Sequence, residues 1–121
     1  MRRFVWIVLL CAFAQLTASC QSTSEEQHSG IKTINASELP KEARRTIALI
    51  KQGGPYPYQK DGSVFGNYEK RLPLHEHGYY REFTVPTRDG RDRGARRIIL
   101  GKSGELYYTE DHYETFRRVR E

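Results

Sequence analysis

Downstream of residue 30, only one stretch, "NASELPKEARRTIALIKQGG" (residues 35–54), carries the signals of a long helix. That limits the rest of the domain to strands and loops. Pro40 suits a first helical position, where its missing N–H costs nothing, and Glu42 falls in the first turn beside the positive end of the helix dipole. Gly53 and Gly54 stop the helix. Ala43, Ile47 and Ile50 recur at helical spacing, so one stripe is apolar and must be buried. Lys41, Arg44, Arg45 and Lys51 lie off that stripe on a solvated face.

The segment after the helix, "GGPYPYQKDGSVFGNYEKRLP" (residues 53–73), mixes turn formers with aromatics. It reads as a long structured loop, and loops of that length in a small domain are commonly functional. Three strand-like runs follow: Tyr79–Val85, Ala95–Leu100 and Glu105–Thr109. Lys102–Gly104 supplies a tight turn between the last two, which makes them an antiparallel hairpin. Strand parity puts Phe83 and Val85 on one face and Glu82 and Thr84 on the other. Likewise Ile98 and Leu100 oppose Arg97 and Ile99. Packing Phe83, Val85, Ile98 and Leu100 against the helix stripe leaves Glu82 and Arg97 together on the far face. The expected class is α+β: one N-terminal helix on a small antiparallel sheet. Carboxylate and guanidinium on adjacent strands make either a cross-strand ion pair or part of a site.

The start of the chain has a different character. "MRRFVWIVLLCAFAQLTASC" has two arginines and then an apolar run from Phe4 to about Leu16. The run is shorter than the ~20 residues that cross a bilayer and is followed by small residues, as in a signal peptide. The "LTASC" ending resembles a bacterial lipobox, although Thr17 stands where Leu is usual, so residues 1–19 read as a lipoprotein-type signal and Cys20 as the lipidated residue. The competing reading is plain secretion with cleavage nearby. Residues 20–30 read as a flexible linker and 31–121 as the domain. Cys11 and Cys20 are the only cysteines, so the domain has no internal disulfide and rests on its core alone. These features predict an exported protein, membrane-anchored or secreted.

Candidate chemistry lies in Glu82, Arg93, Arg97 and His112. A carboxylate base, a histidine acid and two guanidiniums are the parts that RNA cleavage by internal transesterification needs. The base takes the ribose 2′-OH proton, the acid protonates the departing 5′-oxygen, and forked arginines hold the phosphate. No tight cluster of His and Asp ligands suggests a metal, and no cofactor is expected. Taken singly, each residue has a plainer reading, as a surface histidine or a modest salt bridge.

In order along the chain, "LP.EA", "GGPYPYQKDGSVFGNYEKRLP", "HGYYREFTVPT", "RDRGARRIIL" and "YYTEDHYETF" resemble the bacterial guanyl-specific microbial ribonucleases, the barnase-like small secreted enzymes. The likeness runs from about Leu39 to Phe116. It implies Glu82 as general base, His112 as general acid, and Arg93 and Arg97 as phosphate ligands. It also implies that Glu69 accepts hydrogen bonds from guanine N1–H and the 2-amino group. Main-chain groups around Phe65, Asn67 and Tyr68 would read O6 and N7, and Tyr113, with Phe65, would stack on or border the base. The activity so implied is cleavage of single-stranded RNA 3′ to guanosine through a 2′,3′-cyclic phosphate, with a small acidic protein inhibitor as a possible partner and a monomer as the default state. Two features depart from the family pattern: Asn35 and a cysteine-free tail replace a common terminal disulfide, and Gly66 stands where some relatives carry a larger residue. The alternative function is a non-catalytic RNA- or polyanion-binding lipoprotein of the same fold.

The formal charge of +5 suits a polyanionic partner without identifying one. Within "RDRGARRIIL", Arg93 and Arg97 are assigned to the phosphate. Arg91 and Arg96 are read as background charge, Arg96 being on the wrong strand face for Glu82. The tail "RRVRE" reads as a frayed end.

Overall fold

The computed structural model describes residues 30–90 and 92–121. The expectations for the signal peptide, Cys20, nearly all of the linker and Arg91 lie outside these residues. The elements in chain order are β1 (Lys32–Asn35), a 3-10 turn (Ala36–Glu38), α1 (Lys41–Gln52), β2 (Ser63–Phe65), β3 (Tyr80–Thr84), β4 (Arg97–Gly101), β5 (Leu106–Thr109) and β6 (Arg117–Arg120).

The helix forms where its signals stand, one residue later than expected. Pro40 has an extended ψ of 148° and caps α1 from outside, its carbonyl accepting the Arg44 N–H at 3.1 Å. At the other end Gly53 is left-handed at φ +83°, and the Gly53 and Gly54 N–H groups donate to the Ile50 and Leu49 carbonyls. Ala43 and Ile47 are buried as the stripe requires, with Ile50 packed at its margin. Thr46 is also buried, a position hydrophobic spacing passes over. Its hydroxyl lies within hydrogen-bond distance of the Glu42 and Thr84 carbonyls, which ties α1 to β3.

The six strands form one sheet in the order β1-β6-β5-β4-β3-β2, antiparallel except for the parallel pair β1·β6. Phe83 pairs with Ile98, Glu82 with Ile99 and Thr84 with Arg97, so the expected parity holds. Phe83, Val85 and Ile98 join Ala43 and Ile47 in the core beneath the helix. A second cluster, including Leu72, Tyr80, Ile99, Tyr107 and Phe116, packs the opposite face. Ile98 and Ile99 are both fully buried, each adding roughly 1.5–3 kcal/mol of apolar burial. With both faces packed, β4 gives the side chains at its end a stiff floor.

Three strands depart from the sequence reading. The 53–73 loop contains β2, whose three residues pair with β3 and are too short for an alternation signal. The chain before the helix forms β1. The tail expected to fray is β6, an interior strand paired with both β1 and β5. Its charges are accommodated because Arg117 and Arg118 lie over the Tyr108 and Tyr107 rings, each at 5.6 Å, on opposite faces. Val119, between them and Arg120, is buried in the core.

Candidate active site

The register of β3 on β4 sets the site. Glu82 and Arg97 point to the same face from neighbouring strands, opposite Ile99 and Thr84 respectively. Arg93 reaches the same place from the loop before β4. The loop turns at Gly94, where φ is +59° and a Cβ would stand 2.4 Å from Thr87 Cγ2, so only glycine fits. This bend brings Arg93 Nε to Thr84 Oγ1 at 3.0 Å and Arg93 Nη2 to Glu82 Oε1 at 3.5 Å.

Arg97 is only 2% exposed, yet no carboxylate among the described residues pairs with it. Its Nη1 donates instead to the carbonyls of Gly94 at 2.9 Å, Arg96 at 2.8 Å and, more weakly, Arg93 at 3.4 Å. Among the described residues its buried Nε has no hydrogen-bond partner. A buried guanidinium is costly unless compensated, and carbonyl dipoles balance the charge only in part. The arrangement favours an anion beside it. Arg96 faces the other way, donating to the Pro86 carbonyl and lying 3.8 Å from Glu42 on the helix side. It is a structural tie between loop and helix as well as background charge.

The second oxygen of Glu82 accepts a hydrogen bond from Tyr113 Oη at 2.9 Å. Burial, and then the Glu82 carboxylate beside it, raises the Tyr113 phenol above its ordinary pKa, so it stays a donor through neutral pH. Tyr113 and His112 sit in the turn between β5 and β6, both left-handed at φ +71° and +55°. Asp111 shapes this turn, accepting from the Thr109 hydroxyl, the Thr115 N–H and the Thr115 hydroxyl. Burial alone would raise the Asp111 pKa, but these hydrogen bonds together outweigh it and hold the group at about 2. The Tyr113 N–H bonds Thr109 Oγ1 at 3.1 Å, and the His112 N–H bonds the Ala95 carbonyl at 3.0 Å, which ties the turn to the arginine loop. The His112 side chain is exposed, with its ring 4.8 Å from that of Tyr113.

A cavity of about 300 Å³ adjoins these groups, lined among others by Phe65, Asn67, Tyr68, Glu69, Glu82 and Tyr113. All the expected base-binding residues therefore converge with the expected base. Two other cavities, about 440 and 740 Å³, include none of the expected site residues. Phe65 stacks on Tyr113 with centroids 5.0 Å apart, so the two rings leave no room for a base between them and offer only their outer surfaces. The Asn67 amide is used inside the loop, donating to the Leu72 carbonyl at 2.9 Å and accepting from the Leu72 N–H at 3.0 Å. Any contact of this segment with a base then falls to its main chain. Tyr68 is 84% exposed and its ring lies over Gly66, where a Cβ would stand 2.4 Å from the ring. Gly66 thus lets the ring fold back across the loop.

Sequence reasoning missed Thr84 and Asp111. Asp111 had a readable signal: Thr109 and Thr115 stand two and four residues away, the spacing of side-chain-capped turns. Thr84 had none, since its bond to Arg93 is set by the tertiary fold.

Comparison with known proteins identifies the family. The family model described as ribonuclease matches residues 21–120. Guanyl-specific ribonuclease St of Saccharopolyspora erythraea is 55% identical over 100 residues, covering 83% of this chain and 94% of the relative. Guanyl-specific ribonuclease Sa of Kitasatospora aureofaciens is 53% identical over 88 residues, covering 72% and 92%. Among solved structures, ribonuclease Sa2 with guanosine-2′-cyclophosphate superposes with a TM-score of 0.72 at 48% identity, covering 74% of this chain and 96% of that one.

Proposed function

Because the chain belongs to the ribonuclease family, we infer from its relatives and its site that it is a guanyl-specific endoribonuclease. It cleaves single-stranded RNA on the 3′ side of guanosine by transesterification through a 2′,3′-cyclic phosphate. The names of the relatives and the guanosine cyclophosphate bound in the Sa2 structure support both the base and the intermediate.

The observation that carries the residue assignment is the buried Arg97 guanidinium, with which no carboxylate among the described residues pairs, on the sheet face it shares with Glu82. In the proposed mechanism Arg93 and Arg97 take the non-bridging oxygens of the scissile phosphate. Charge-assisted hydrogen bonds of this kind contribute about 1.5–3 kcal/mol each. Glu82 takes the proton from the 2′-OH, whose oxygen forms the new bond to phosphorus as the bond to the 5′-oxygen breaks. His112, at the exposed side, gives its proton to that leaving oxygen. Hydrolysis of the cyclic phosphate reverses the roles, with water in place of the leaving alcohol. Tyr113 Oη holds one Glu82 oxygen and so leaves the other to face the substrate and Arg93. Glu69 accepts from guanine N1–H and N2–H, a pair of adjacent donors adenine lacks. A non-catalytic binder is the weaker reading, because Glu82 and Arg97 share one sheet face that Arg93 reaches, and the His112 N–H on the Ala95 carbonyl ties its turn to the arginine loop.

The test is cleavage of GpN and ApN dinucleotides in EDTA. GpN is expected to give cyclic phosphate and ApN to react far more slowly. Glu82→Gln is expected to lower kcat by about 10²–10⁴-fold while guanosine 3′-phosphate still binds. No cleavage of GpN would sink the enzyme, and equal cleavage of both would sink the role of Glu69. Export, with a lipid on Cys20, and a monomeric state complete the proposal, and the formal charge of +5 suits a small acidic inhibitor. Loss of palmitate labelling in Cys20→Ala checks the lipid, and unchanged labelling removes it.

A further inference from the structure

We propose that Arg71 is a positioning residue for guanine recognition, acting by fastening the Glu69 carboxylate to the turn that carries Tyr113. The inference rests on the reading of Glu69 as the acceptor for guanine. Arg71 Nη2 lies 2.7 Å from Glu69 Oε2, and Arg71 Nη1 donates to the Tyr113 main-chain carbonyl at 2.6 Å. One planar fork thus spans two segments that are 42 residues apart.

Stability is not what this bridge supplies. The Arg71 and Glu69 side chains are 40% and 69% exposed, and exposed ion pairs contribute about 0–1 kcal/mol. Its effect is geometric. Glu69 projects from the loop at the cavity rim, and apart from Arg71 no side chain among the described residues bonds its carboxylate. The Asn67–Leu72 hydrogen bonds brace the loop backbone but end short of that side chain. The chain reverses at Lys70, left-handed at φ +55° with its N–H on the Asn67 carbonyl, between the two residues of the pair. With Oε2 held by Arg71, Oε1 and a second lone pair on Oε2 remain for two incoming donors. Fixing a flexible acceptor before the base arrives removes its ordering cost from binding. Tyr113 also donates to Glu82, so one residue gives both the base-reading carboxylate and the catalytic base their reference point. Lysine has one donor centre and cannot hold both Glu69 and the carbonyl in this geometry.

The experiment uses the full chain and compares wild type, R71M, R71K, E69Q and E69Q/R71M on GpN and ApN, with thermal melting as a control. R71M is expected to raise KM for GpN about tenfold, keep kcat within about threefold, and leave kcat/KM for ApN unchanged. R71K is expected to recover part of the GpN preference. In the E69Q background R71M is expected to add nothing, because it acts through Glu69. An equal loss on GpN and ApN would mean general attraction of RNA and would overturn the proposal. So would full additivity with E69Q, or no change on GpN. A wild type that does not prefer GpN would overturn the reading of Glu69 first, and this inference with it.

Discussion

At His112 and Tyr113 the backbone holds a conformation that side chains with a Cβ avoid, at about 1–2 kcal/mol per residue. Such strain persists only where neighbours over-determine it, and here the Ala95 carbonyl, Thr109 and Asp111 do so. The strain belongs to the backbone and the proposed chemistry to the imidazole, so the two can be separated. His112→Ala and His112→Gly are both expected to lose activity, but the glycine variant should be the more stable by about 1 kcal/mol in urea unfolding. Equal stability, or a more stable alanine variant, would show that the turn is unstrained. At this scale the shared face of Glu82 and Arg97 was readable from strand parity, whereas the roles of Glu82, Arg93, Arg97 and His112 come from residue type and the family likeness. The left-handed geometry was not readable, because neither His112 nor Tyr113 is a Gly or an Asn and the constraint comes from other segments.

The turn from Thr109 to Thr115 is the element on which site geometry depends, and Asp111 makes it acid-sensitive. Its folded pKa, about 2, lies below the ordinary aspartate value, so the carboxylate form is favoured by folding. The stabilisation is therefore complete above the ordinary value and is lost as pH falls through about 2. Asp111→Ala removes the acceptor at every pH. That variant is expected to lower kcat by about tenfold through misplacement of His112, with a smaller change in KM. It should also show a shallower loss of stability on acidification. An unchanged kcat would detach Asp111 from the site. Helix α1 was legible because Pro40, Glu42 and the paired glycines are local signals. Strand β2 was not, since Ser63–Phe65 is defined by its pairing with Tyr80–Glu82 and has too few residues to show a period.

Across the whole molecule, parity was the informative signal. The alternation through Phe83, Val85 and Ile98 fixed which face meets the helix and hence which face carries Glu82 and Arg97. The parallel pair β1·β6 left no such mark, because its two strands come from opposite ends of the domain and each gains its place from the other. That pairing has a consequence for synthesis. Translation delivers β1 first, yet the strand that separates it from β5 emerges only after every other element of the sheet. A nascent chain stalled before Arg117 therefore has an open sheet and an unclosed turn beside His112. We expect such stalled complexes to leave GpN intact and chains extended well past residue 120 to cleave it. Cleavage by the shorter chains would show that β6 is dispensable. On this account the order of emergence itself delays the nuclease, keeping it inert beside the RNA from which it is made.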